Sequence, residues 1–144
     1  MGEDAQSVLV RLGDTDLTVA DGNDDVRGRV VVDRSGEEIG DVDGLLIDEE
    51  ERRVRFLQVG SGGFLGIGTK KQLIPVDAVT RVDEDAVHID VERDRVAAAP
   101  VYDPDLAQDL TQQRGFYEGL YGYYGYSPHW LPGYVYPGYP HNRR

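Results

Sequence analysis

"GSGGFLGIGTKKQLIP", residues 60–75, decides what kind of protein this is. Five glycines occupy its first nine positions, and two lysines come after them. Gly63, Gly68 and Lys70 fall one residue short of the spacing of a phosphate-cradling loop. Such a loop needs a strand before it and a helix after it, because the first helical amides and the helix dipole hold the phosphate. A strand pattern does precede, "RVRFLQV" at residues 53–59. On the other side, "KKQLIPV" contains Pro75, ends in β-branched residues and has no helical period, and Thr69 stands where the loop's lysine belongs. The stretch therefore reads as a wide hairpin loop rather than a nucleotide site. Phe64, Leu65 and Ile67 are expected to fold back over one end of a core, with Lys70 and Lys71 in solvent.

Working outward, the same grammar repeats. "RGRVVVD" reads as a strand, and "RSGEE" is a turn. "EIGDVDGLLID", residues 38–48, is apolar at Ile39, Val42 and residues 45–47, and Gly40 and Gly44 break strict alternation. Glycines inside a strand mark bulges or sharp coiling. "EEERR" is a charged turn. After the glycine loop come "KQLIPV", "DAVTRVDED" and "AVHIDV". In the last, Val87, Ile89 and Val91 share one face and His88 and Asp90 the other. About six short strands at hairpin spacing, without a long helix between them, predict an antiparallel barrel or sandwich, and bent strands with internal glycines favour closure into a small antiparallel β-barrel. "ERDRVAAAP" predicts a short helix that Pro100 ends.

Composition narrows the possible roles. The chain has 144 residues, a net charge of −12 and no cysteine. Disulfides, thiolate nucleophiles and zinc–thiolate sites are thereby excluded. Seven acids and one arginine lie in residues 1–25, and seventeen acids and eleven bases in residues 26–103. Lys and Arg supply most affinity for nucleic acid, so no nucleic-acid partner is expected. "MGEDAQSVLV" lacks a basic region and an apolar run, and no segment has the length and apolarity of a transmembrane helix. A cytoplasmic location is the default expectation.

Both flanks differ from the centre. In the acidic arm, residues 1–25, two apolar runs (8–12 and 17–19) around "GDTD" suggest a hairpin or an edge strand touching the domain. Beyond residue 103 the sequence becomes polar, then aromatic. "DPDLAQDLTQQRG" predicts one short helix, with Asp103 as cap, Pro104 at its first position and Gly115 as its stop. Then "FYEGLYGYYGYSPHWLPGYVYPGYPHNRR" holds eight of the nine tyrosines and the only tryptophan. Its glycines and prolines oppose regular structure. Its ten large rings would expose more apolar area than soluble monomers tolerate. The candidate interaction residues here are Phe116, Tyr117, Tyr121, Tyr123 and Tyr124, followed by Tyr126, Trp130, Tyr134, Tyr136 and Tyr139.

Taken in order, "DVRGRVVVD", "GEEIGDVDGLLID", "GGFLGIG", "LIPVDAV", "AVHIDV" and "AAAPVYDP" closely resemble the PRC-barrel family over residues 24–104. That family is named for the cytoplasmic domain of the photosynthetic reaction-centre H subunit and includes the C-terminal domain of the ribosome-maturation factor RimM. The aromatic extension is similar to those of stand-alone bacterial relatives. The H subunit has a membrane helix and RimM a second domain. This chain shows neither, so neither job transfers. The resemblance implies a PRC-type barrel at residues 26–103 that serves as a docking module, and the composition beyond it reads residues 104–144 as a short helix and low-complexity tail.

No catalytic order of residues stands out, so no enzyme, cofactor or metal is expected. Asp41, Asp43 and the run 48–51 gather carboxylates, but apolar residues interrupt the spacing a calcium loop needs. His88 reads as an exposed strand residue, and His129 and His141 lack an acidic companion. The expectation is a non-enzymatic adaptor that self-associates as a dimer or higher homo-oligomer, its aromatic tail extending the interface. The alternatives are a structural protein forming tail-mediated filaments or condensates, and an accessory subunit of a redox or photosynthetic complex or a ligand- or metal-binding barrel.

Overall fold

A computed structural model describes residues 9–11, 25–48, 51–61, 70–102, 110–137 and 139. The fold is mainly β. Its elements in order are β1 (Leu9–Arg11), β2 (Val30–Val32), β3 (Glu38–Asp48), β4 (Val54–Ser61), β5 (Lys70–Pro75), β6 (Val79–Val82), β7 (Ala86–Ile89), α1 (Arg93–Ala97) and α2 (Leu110–Tyr124).

β3 organises the sheet. It pairs with β4 along one side, with β2 near its start (Val30 opposite Asp41) and with β1 at its end (Leu9 opposite Asp48). The strand path runs β5-β4-β3-β2-β7-β6, and β1 joins β3 outside it. β1 thus touches the domain along β3, and the apolar run 17–19, on which the hairpin alternative rests, lies outside the described residues. The bulges foreseen from the glycines are present. Ile39, beside Gly40, is one residue too many against β2, and Asp43, beside Gly44, is one too many against β4. At Gly40 the backbones crowd: a Cβ there would lie 2.1 Å from the Gly60 carbonyl oxygen.

Two features depart from a closed antiparallel barrel. β2 and β7 are parallel, with Val31 opposite Val87. Parallel neighbours need a long connection, and here the whole run from β3 to β6 supplies it. Among the described residues no ladder joins β5 to β6, the two ends of the path. The chain instead turns that corner through one 3-10 turn, Val76–Ala78, which buries Val76 and Ala78.

The glycine loop leaves β4 and returns as β5, with Ser61 opposite Lys70. A strand, not a helix, comes after it, so no helix N-terminus faces a phosphate there. Phe64, Leu65 and Ile67 lie outside the described residues. Lys71 is not simply solvated, because it forms an ion pair with Asp43.

The core reveals what covers the sheet. Val54, Phe56, Leu57 and Val59 of β4 are all fully buried. Adjacent strand residues point to opposite faces, so both faces of β4 are covered. The cover on Phe56 comes from α2, as Tyr117 stacks on its ring at 5.3 Å and Tyr121 lies 4.9 Å away. The expected stop at Gly115 is wrong: α2 continues through Gly115, Gly119 and Gly122 to Tyr124. Intrinsic propensity opposes three glycines in one helix. Burial of Tyr117, Leu120, Tyr121 and Tyr124, at spacing i, i+3, i+4, i+7, outweighs it. The helix ends at Gly125, which has φ 89°. The Tyr126 amide donates to the Tyr121 carbonyl (2.9 Å) and the Gly125 amide to that of Gly122 (3.2 Å), a Schellman closure.

Buried polar side chains tie the remaining elements together. Asp33 accepts the amides of Ser35, Glu37 and Arg93 at 2.8–2.9 Å, holding the β2–β3 turn against the start of α1. Gln72 donates to the carbonyls of Ala97 and Ala99, both at 3.0 Å, and so fixes the end of α1 on β5.

Candidate functional site

The feature that calls for a functional reading is the seam between the sheet and the segment after α2. It begins at the bulge in β4. Val54 lies opposite Ile47 and Phe56 opposite Leu46, so Arg55 is the unmatched residue. Its guanidinium is buried and pairs with buried Asp48 at 2.8 Å. Burial opposes the Arg55 charge, and the Asp48 carboxylate more than compensates, holding the guanidinium above its ordinary range. A second carboxylate, Glu51, meets Arg55 Nη2 at 3.0 Å from a largely exposed position.

The tail closes over this group with tyrosines. Leu131 and Tyr134 donate amides to the carbonyls of Pro128 and Leu131, so the chain turns twice there. The Tyr134 hydroxyl donates to Asp77 Oδ2 at 3.0 Å, and that of Tyr136 to the Val54 carbonyl at 3.1 Å. Arg53 lies over the Tyr136 ring at 4.4 Å, and Arg55 is 5.3 Å from the same ring. Nearer α1, the Tyr123 hydroxyl donates to the Arg95 carbonyl at 2.6 Å while the Arg95 guanidinium covers the Tyr123 ring. These contacts carry the tail across the sheet.

Burial leaves its mark on the titrating groups. Burial, then the Arg55 and Arg114 charges, drive His129 down to about 3, so its ring is neutral. The Tyr121 hydroxyl meets its Nδ1 at 3.0 Å, and Nε2 is buried with no partner among the described residues. Burial raises Asp77, although Tyr134 partly offsets it, and Asp77 Oδ1 is also without a partner among the described residues. Burial pushes the hydroxyls of Tyr117, Tyr121, Tyr124 and Tyr134 well above the usual phenol range. Between the β3–β4 turn and the tail lies a cavity of about 310 Å³, lined on the sheet side by Glu51, Arg53 and Arg55 and on the tail side by His129, Leu131, Gly133, Tyr134 and Tyr136.

The expected interaction residues therefore divide. Tyr117, Tyr121, Tyr124 and Tyr139 are buried inside the chain. Phe116, Tyr123, Tyr126, Trp130 and Tyr136 pack against the core with part of each ring exposed, and Tyr134 is half-buried. Among the described residues of the tail, the outward large apolar residues are ones the sequence did not single out: Leu131, and Val135 with 79% of its surface exposed. Nor did the sequence identify the groups that receive the tail, Arg53, Arg55, Asp77 and Arg95. Their partners lie 28 (Arg95 to Tyr123) to 83 (Arg53 to Tyr136) residues away, and no local pattern encodes that.

The acidic hairpin is occupied by the chain's own donors. Asp43 accepts Gln58 Nε2 at 2.8 Å and pairs with Lys71, Asp48 holds Arg55, and Asp41 is exposed. His88 sits half-buried between Asp83 and Arg81. His141, Glu49 and Glu50 lie outside the described residues. Among the described residues no three His, Asp or Glu side chains are grouped to hold a metal. Among them, too, no helix is long and apolar enough to cross a membrane.

The family model described as PRC-barrel domain matches residues 20–96, more than half of the chain. No curated protein matches it.

Proposed function

The chain belongs to the PRC-barrel domain family, and from that premise we propose that it is a non-enzymatic adaptor that associates with a second copy of itself through the barrel-docked tail. One observation carries the reading: Val135 projects 79% exposed between two tyrosines whose hydroxyls are bonded inward to Asp77 and the Val54 carbonyl. An apolar side chain on a pinned loop loses little conformational entropy on binding, which favours an interface. Leu131 extends the same outward surface. Closed two-fold dimers are the commonest way for one such surface to be used. The intrachain burial of Tyr117, Tyr121 and Tyr124 favours this reading over tail-mediated filaments, because those rings already have partners.

Removing the whole tail would uncover Phe56 and confuse association with unfolding. The test is therefore light scattering on the full chain and on a Leu131→Ser, Val135→Asp variant. The full chain is expected to be dimeric or larger and the variant monomeric. A monomeric full chain across a hundredfold range of concentration withdraws self-association.

A further inference from the structure

The seam cavity already receives a carboxylate, and that carboxylate belongs to the chain. Glu51 Oε1 lies 3.0 Å from Arg55 Nη2 and 3.5 Å from Arg53 Nε. Two guanidinium groups thus converge on one oxygen. Both are held in place from the other side, Arg53 by the Tyr136 ring at 4.4 Å and Arg55 by buried Asp48 at 2.8 Å. Asp48 compensates the buried charge of Arg55, so Glu51 is not needed for that purpose. Glu51 itself is 61% exposed, so solvent screens its side of the pair and its contribution is modest.

We propose that this cavity is a binding site for a small carboxylate-bearing molecule, which enters by displacing Glu51 from Arg53 and Arg55. Planar guanidinium forks match carboxylate geometry and here are already oriented toward one. The volume of about 310 Å³ lies at the small end of ligand sites and admits a compact molecule rather than a chain segment. Leu131 and Tyr134 supply walls for its body. The net charge of −12 repels anions in general, so occupancy depends on this local arrangement and not on overall attraction.

The probe is sodium succinate, titrated into the full nitrogen-15-labelled chain at constant ionic strength, with the arginine Nε–H signals followed by NMR. Saturable shifts confined to Arg53 and Arg55 are expected. Glu51→Gln removes the internal competitor and should tighten binding up to about fivefold, the most an exposed pair withholds. Arg53→Ala should weaken it by at least that factor without unfolding the chain, since Arg53 is half exposed. Arg53→Lys keeps the charge but loses the fork and should also bind more weakly. Shifts that fail to saturate, that chloride reproduces, or that are no tighter in Glu51→Gln overturn the proposal. Tighter saturation by inorganic phosphate than by succinate overturns the assignment to carboxylates.

Discussion

Glycine does opposite things in the barrel and in the tail. In the barrel, Gly40 permits a close crossing: any Cβ would strike the backbone of Gly60 at 2.1 Å. In the tail, Gly115, Gly119 and Gly122 lie on the exposed side of α2, and a Cβ at each would meet nothing within 4 Å. One glycine is required by packing, and the other three weaken the helix that carries them. The barrel forms because its strands suit their own local sequence. The tail helix forms because the sheet offers its aromatic stripe somewhere to go.

That difference can be broken most directly at the stripe. Tyr121→Ala removes a fully buried ring from Phe56 and should cost about 3–5 kcal/mol in urea unfolding, with loss of the α2 signals in NMR. Survival of a protected α2 in this variant would mean that the helix stands on its own. On the barrel side, Gly40→Ala should cost about 3 kcal/mol, the upper part of the range for overpacking, because the obstructing atom is backbone. The triple change of Gly115, Gly119 and Gly122 to Ala should work the other way and stabilise by about 2 kcal/mol in sum. If it destabilises, those glycines have a role in contacts outside this chain.

The smallest effect concerns pH. His129 is held at about 3 in the folded chain, against an ordinary 6.5. The unfolded chain therefore binds a proton in this window that the folded chain refuses. The stability involved is complete above pH 6.5 and is lost as pH falls toward 3. Asp77 is raised above its usual 3.8 and acts in the opposite sense from that value upward, so the comparison is made at the top of the His129 window, from about pH 7 to about pH 6. His129→Phe should flatten the fall in the urea midpoint over that interval. An equal fall in both proteins would assign the acid limb elsewhere.

The sheet was legible for local reasons. The bounds of β3 coincide with "EIGDVDGLLID", the bulges fall beside Gly40 and Gly44, and Val87 and Ile89 share the buried face of β7 as their alternation demands. The parallel contact of β2 with β7 was not legible, because hairpin spacing reports only sequential neighbours. The tail was half legible. Its aromatic richness predicted packing, but the regular spacing of Gly119, Gly122 and Gly125 masked the equally regular 117, 120, 121, 124 stripe. Helix propensity favours a stop at Gly115, and only the open side of Phe56, which the sequence cannot display, reverses that preference. The seam cavity was invisible for the same reason, since Arg55 and Tyr136 meet only once the tail is docked.

Trp130 is the chain's single indole, and it lies in the tail with its ring 6.0 Å from that of Tyr121 and beneath the Arg114 guanidinium. Its fluorescence emission therefore reports docking of the tail, while amide hydrogen exchange in β3 and β4 reports the sheet. Undocking moves the indole into water and shifts its emission to the red. Together the two signals tell whether the tail lets go before the barrel melts or only with it.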